Sequence, residues 1–483
     1  MGSSDELIVV GVYGEKLGHV DGKGKGLYVL KFDHDQQAFA PSDGLFGEPQ
    51  LGAIVRNPTF LTVDRINGGA PIIYIVDERN DSAGSVVAAT LDEVTGELKA
   101  LGPNIPAVID AKGKQGAACC HISVSPAGGH ILAANYLGGS VVAIGRKPDG
   151  SLDPSRVQYL LLPPSGVEIS YPGANTGRQE GSHAHMCLFS SGSNGLSLLV
   201  PDLGSDVVWS IPFDPTSADS PLGTPVATAA GNESLRGGGP RHVALHPSSP
   251  IAYVVYELSS QAAAFAIDPA TGAIEGPPLC ICNVMSGAVA PFLGSASGTG
   301  NETYSTLVTE GGVCSDTATS IAAARVTPSA SHLVVSNRIV NATGALSGIP
   351  LKRNGHFGNS IGITTTLGRT PRDFAFLTAP APPAAGAKRG PSSVLALAAN
   401  QDTDEIALMT EGEEPLVLTT AVPTPVCLCM VPRGGAKGGA PVSGRDYLAA
   451  QGIEKKITDA VAVVLKERPE DAAKRIAELL LEK

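Results

Sequence analysis

The sequence predicts an all-β chain. A seven-bladed β-propeller spans residues 1–432, and a flexible Gly/Pro linker (433–444) joins it to a small C-terminal two-helix module (445–483). Three observations carry this prediction. One strand–turn–strand plan recurs along the chain. Glycine (58) and proline (37) are abundant among 483 residues, as a turn-rich β protein requires. The apolar period changes from 2 to 3.6 after the linker.

Six segments share the plan: NPTFLTVDRINGGAPIIYIVDERN, CCHISVSPAGGHILAANYLGGSVVAIGR, HAHMCLFSSGSNGLSLLVPDLGSDVVWSIPFD, PRHVALHPSSPIAYVVYELSSQAAAFAID, AARVTPSASHLVVSNR, and PRDFAFLTAP continued by VLALAANQDTDEIALM. In each, a short alternating strand meets a Ser/Pro/Gly turn. A β-rich second strand then ends in a polar residue, and a turn such as LGGS or LGSD leads to a third strand. The polar positions Asp77, Asn135, Asp202, Glu257, Asn337 and Asn400 recur every 55 to 80 residues or so. That exceeds a bare four-stranded blade of roughly 40–50 residues, so inserted loops are expected. LIVVGVYG and GKGLYVLKFD add two strands at the start, and TPVCLCMV near residue 430 supplies a closing strand, which makes seven blades. Residues 285–301 and 379–392 read as surface insertions.

In the C-terminal module Ile453, Ile457, Val461, Val464 and Leu465 form one helical stripe. Pro469, with Glu470 and Asp471, starts a second helix that carries Ile476, Leu479 and Leu480. So short a hairpin buries little surface alone and calls for pairing with a copy of itself, or else for packing on the propeller; the freedom of the linker favours self-pairing.

The totals exclude several classes. A net charge of -12 argues against a nucleic-acid surface, though not against a local basic pocket. The N-terminus has neither a basic n-region nor an apolar h-region, and no apolar run reaches membrane-spanning length, so a cytoplasmic protein without membrane contact is expected. The eight cysteines form no CxxC pairs, which points to reduced, packed thiols rather than a metal site. No GxSxG, HExxH or Walker A motif occurs, and no cofactor is indicated.

Blade geometry locates the chemistry. First and second strands are antiparallel, so the start of one and the end of the other lie on the same rim. Starts give Asn57, Cys120, His121, His183, His185, Arg241, His242 and Arg372; ends give Glu78, Asn135, Tyr136, Asp202, Glu257, Asn337, Arg338, Asn400 and Gln401. Convergent polar groups at a concave mouth form a site hypothesis. A histidine with a nearby glutamate suits acid–base work, and arginines suit an anion or a developing oxyanion. Asp202, before a tight turn, and His246 are expected to be structural.

GPRHVALHP…YVVYELSS, CHISVSPAGGHILAANYLGGSV, HAHMCLFS…LLVPDLGSD, VSNR, TPRDFAF and AANQDTD together resemble the lactonase family of seven-bladed propellers, over roughly residues 7–432. The resemblance implies a metal-free site with a histidine of the HAH pair (His183 or His185), Arg241, Glu257 and Arg338 as catalytic residues. The other rim residues, His121, Asn135, His242, Asn337, Arg372 and Gln401, are expected to contact the substrate. The implied reaction is hydrolysis of a sugar lactone, 6-phosphogluconolactone first among them. Lactonising isomerisation of a muconate-like acid, or a non-catalytic scaffold, are the alternatives.

The tail, GRDYLAAQGIEKKITDAVAVVLKERPEDAAKRIAELLLEK, resembles the Dumpy-thirty motif, which is similar to the docking helices of type II protein kinase A regulatory subunits. This implies a homodimer whose groove accepts an amphipathic helix of an anchoring protein, as in cilia and flagella.

Overall fold

The computed structural model describes residues 5–40, 45–80, 84–107, 118–171, 173–228, 233–294, 319–378 and 394–432. All fall in the first of the two units into which the chain divides, Met1–Gly438. The second, Gly439–Lys483, with the expected helical hairpin, lies outside the described residues. So do the whole linker and residues 379–392.

Seven sheets of four or five strands make the blades, and the helical content of the described residues is one short turn at Glu233–Leu235. The first and second strands are Pro58–Arg65 and Pro71–Asp77 in the second blade, and Cys119–Val124 and His130–Asn135 in the third. They are Leu188–Ser191 and Leu196–Asp202 in the fourth, and Pro240–Leu245 and Ile251–Tyr256 in the fifth. Thr319–Val326 and His332–Ile339 belong to the sixth, and Pro371–Phe376 and Leu395–Asn400 to the seventh. The first blade closes the ring: Pro425–Val431 is its inner strand and pairs antiparallel with Asp5–Val12, Leu7 opposite Val431 and Val9 opposite Cys429. The expected closing strand is therefore observed.

The core consists of seven apolar layers, each lying between consecutive blades. This explains why second strands such as HILAAN read as continuous apolar runs. Ile131 and Ala133 point into the layer shared with the second blade, while Leu132 and Ala134 point into the layer shared with the fourth.

Two expectations need correction. Residues 285–301 are not simply a surface insertion. Ala288–Val289 pairs in parallel with Gly362–Ile363 as a fifth strand of the sixth blade, and Phe292 is buried in the layer between blades six and seven. The backbone of Phe292 also exchanges hydrogen bonds with Gly412 and Glu413. The small residues of this stretch obscured one large apolar anchor. The inner strand of the fourth blade starts at Leu188, not at the HAH pair, which is held by a single bridge between Ala184 and Asp202.

Candidate active site

Four blades open with the same β-bulge. Pro58 faces Asp77 but Phe60 faces Val76; Cys119 faces Asn135 but His121 faces Ala134; Pro240 faces Tyr256 but His242 faces Val255; Pro371 faces Asn400 but Asp373 faces Ala399. The unpaired extra residues are Thr59, Cys120, Arg241 and Arg372. A bulge re-aims a side chain and ends the ladder. Each of these sits beside the residue that follows its second strand: Glu78, Tyr136, Glu257 and Gln401. The first blade follows the same rule, with its irregularity between Gly11 and Val12 and Tyr13 as the next residue. One backbone device, repeated in these blades, thus aims side chains at the mouth of the channel.

Glu257 is the centre of one side. It is 2% exposed and meets three guanidiniums. Arg241 Nη1 donates to its Oε2, while Arg178 Nη2 and Arg338 Nη2 approach Oε1 at 3.0 and 3.1 Å. Burial alone would raise the Glu257 carboxyl, but Arg241, Arg338 and Arg178 outweigh it and hold the group well below the usual carboxylate range. The arginines are themselves fixed. Arg241 Nε donates to the Ala322 carbonyl at 2.7 Å, and Arg338 Nη2 to that of Ile321 at 2.9 Å.

His185 stands next to this cluster. Its ring lies edge-on to Tyr136 at 5.4 Å and near His242 at 5.8 Å, and Nδ1 is 3.9 Å from the Cys120 sulfur. Among the described residues Nε2 carries no side-chain hydrogen bond. Burial, then the Arg241 charge, holds the imidazole well below its ordinary pKa, so it is neutral and able to accept a proton. His183 is different: it stacks on Tyr136 at 4.3 Å, and its nitrogens face the Tyr136 carbonyl and Glu180 Oε1, both at 3.0 Å. His183 ties the segment down, and His185 faces the channel. Asp202 explains the fold here. It accepts from the His183 and Ser205 amides, from the Ser182 and Ser205 hydroxyls and from Trp209 Nε1. Gly204 lies so close that a Cβ would clash with the Gly181 carbonyl and the His183 ring.

The opposite side holds a second carboxylate in another setting. Glu78 accepts the Tyr13 hydroxyl at 3.0 Å and the Thr59 hydroxyl at 2.6 Å. Arg372 donates to the Tyr13 oxygen at 2.7 Å and lies over its ring. His19, on the small Lys16–Leu17/Val20–Asp21 hairpin, is 3.3 Å from the same oxygen. Below the mouth, His242, His121 and Phe60 form a column with spacings of 6.0 and 4.2 Å. Burial pushes the His121 imidazole down to about 3.

The lactonase model, described as a 7-bladed β-propeller, matches residues 8–428. The chain belongs to this lactonase family. As a member of that family it is an enzyme of the lactonase class. It is 27% identical over 418 residues to the 6-phosphogluconolactonase of Bacillus subtilis strain 168, covering 85% of this chain and 95% of the relative. Among solved structures it is similar to a candidate 6-phosphogluconolactonase of Bacteroides fragilis (TM-score 0.64, 21% identity, 89% of this chain and 98% of the other). It is also similar to the periplasmic gluconolactonase of Pseudomonas aeruginosa (TM-score 0.62, 22% identity, 89% and 99%). At those identities the two structures show a shared fold.

Among the residues expected at this lactonase mouth, the structure brings together His185, Arg241, Glu257 and Arg338, with Arg372 and the buried Gln401 opposite, 3.5 Å apart. His121 and His242 lie deeper in the channel. Asn135 and Asn337 are fully buried, their amide nitrogens bound to the Ala107 carbonyl and Ser140 hydroxyl and to the Val335 carbonyl and Ser347 hydroxyl, while their carboxamide oxygens carry no hydrogen bond among the described residues. They precede the rim residues Tyr136 and Arg338. Tyr13, His19 and Arg178 were missed. Tyr13 obeys the rule of the residue after a second strand, but the other two stand on loops outside the repeat. Among the described residues no cluster of three or more His, Cys, Asp or Glu could hold a metal, and no helix is long and apolar enough to cross a membrane.

Proposed function

We propose that this site hydrolyses a six-membered sugar lactone, with 6-phosphogluconolactone as the preferred substrate. The observation that carries the reading is geometric: the His185 imidazole stands against Tyr136, next to a carboxylate, Glu257, that is bound by three guanidiniums. Glu257 in that state is a poor base. Its work is to hold Arg241 and Arg338 in place.

In the proposed reaction His185 accepts a proton from water as the water oxygen bonds to the lactone carbonyl carbon. Arg241 and Arg338 stabilise the oxyanion that develops on the carbonyl oxygen. The ring C–O bond then breaks, and the imidazolium returns its proton to the departing ring oxygen. The product is the open hydroxy acid, which ionises at neutral pH. Around Glu257 and Glu78 four guanidiniums outnumber two carboxylates, which suits an anionic substrate even in a chain of net charge -12. The relative from Bacillus subtilis, which aligns along most of the propeller, supports the phosphorylated lactone.

The test is initial-rate hydrolysis of phosphorylated and unphosphorylated gluconolactone by purified protein, corrected for spontaneous opening. Turnover well above background supports the reading, and background rates on both lactones overturn it. We also propose homodimerisation through residues 445–483, supported by the apolar stripe from Ile453 to Leu465. Docking of an anchoring helix and a ciliary or flagellar location rest on the tail's resemblance alone. Deleting 445–483 should halve the sedimenting mass; an unchanged mass would overturn the dimer.

A further inference from the structure

The three guanidiniums on Glu257 are not equivalent. The side chains of Arg241 and Arg338 are 6% and 16% exposed, and each also spends a nitrogen on a backbone carbonyl of the sixth blade. Arg178 is 41% exposed. It uses one nitrogen, Nη2, for both of its bonds, to Tyr136 Oη and Glu257 Oε1 at 3.0 Å each. Its Nη1 and Nε carry no hydrogen bond among the described residues. Exposure thus rises outward through the cluster, and Arg178 is its outermost cation.

Arg178 is also held firmly for a loop residue. It comes from the stretch between the third and fourth blades, and its neighbour Gln179 is fully buried. Gln179 Nε2 donates to the Leu203 carbonyl, and its Oε1 accepts the Asn175 amide. The Gly173 amide donates to the Gln179 carbonyl, and the Arg178 and Gln179 amides both return to the Asn175 carbonyl. The Gln179 peg sets where the neighbouring guanidinium stands, so its free Nη1 donor is preorganised. Across the mouth stand the His19 hairpin and Arg372, both on the Tyr13 oxygen.

We infer that Arg178 is the specificity residue of the mouth: its free Nη1 donor and its charge receive the phosphate of a phosphorylated sugar lactone, while the carbonyl end lies inward against Arg241 and Arg338. With Nη2 committed to Tyr136 and Glu257, neither fork of the guanidinium is free, and the phosphate is met by charge-assisted donation from Nη1. The identity of the substrate rests on the hydrolytic reading above; the anion subsite does not.

The experiment compares full-length wild type with R178Q and R178K. Initial rates are taken on 6-phosphoglucono- and glucono-δ-lactone, and binding of 6-phosphogluconate and gluconate is measured by calorimetry. R178Q is expected to lower kcat/KM about 30-fold more for the phosphorylated lactone than for the unphosphorylated one, the scale of one charge-assisted contact. Its affinity for 6-phosphogluconate should fall by a similar factor, with R178K in between. Equal losses on both lactones would mean that Arg178 only supports Glu257, and would overturn the inference. So would a wild type that binds 6-phosphogluconate no better than gluconate. Should the wild type hydrolyse neither lactone yet bind 6-phosphogluconate through Arg178, the hydrolytic reading falls and the subsite stands.

Discussion

Two carboxylates occupy the same backbone position in different blades, and their surroundings differ. Glu257 and Glu78 each follow a second strand and stand beside a bulge residue. Glu257 is met by three cations. Glu78 is met by two hydroxyls, from Tyr13 and Thr59. The repeat therefore fixes where a side chain is delivered, and the bulge residue decides the chemistry. With Arg241 in the bulge the carboxylate becomes the anchor of a cationic cluster. With Thr59 there it joins a hydrogen-bond relay that runs through Tyr13 to Arg372.

Removing each charge is the strongest way to break this comparison. Glu257→Gln leaves Arg241 and Arg338 buried without a counter-charge, and it should cost about 3–5 kcal/mol of stability. Glu78→Gln should cost less, about 1–3 kcal/mol, since it weakens two hydroxyl hydrogen bonds and removes a negative charge held from Arg372 by Tyr13. Urea unfolding measures both, and equal losses would erase the distinction. A second contrast lies within the HAH pair. His185→Ala should lower kcat/KM by roughly 10²–10⁴, the range of general base catalysis. His183→Ala should act mainly on thermal stability, because its ring nitrogens are bound to Tyr136 and Glu180.

The pH dependence sharpens the same point at smaller scale. Burial holds His185, His242 and His121 below the ordinary histidine value. Their folded pKa values are depressed, so the unfolded chain binds more protons as the pH falls below about 6.5. The stability they confer is complete above that value and is lost toward acid, at up to about 1.4 kcal/mol per pH unit for each ring. Denaturant midpoints at pH 7.5 and 5 test this. For catalysis the base limb of kcat/KM should fall clearly below pH 6.5, whereas a limb at 6.5 would assign the proton to an unperturbed histidine.

Much of this was legible in the sequence. The recurring polar residue after each β-rich run located the rim, and the antiparallel rule brought Arg241, Glu257 and Arg338 together before any coordinates. The bulges were not legible, because an extra residue leaves no mark in an alternating pattern of five or six positions. The strand end and the residue beyond it, Asn135 and Tyr136 or Asn337 and Arg338, therefore look alike in sequence, although successive residues face opposite ways. Arg178 and His19 were out of reach because loops outside the repeat obey no period. Phe292 was masked by the small residues around it.

The most direct test of the central claim, that ring opening occurs on the Glu257 side of the mouth, is the initial rate of lactone hydrolysis by Arg241→Ala beside Thr59→Ala. The two occupy equivalent bulge positions in different blades. The account predicts that Arg241→Ala lowers kcat/KM about 10²–10³-fold, as loss of an oxyanion-stabilising donor does, and Thr59→Ala less than about 10-fold. Comparable losses in the two variants, or full activity in Arg241→Ala, would contradict it.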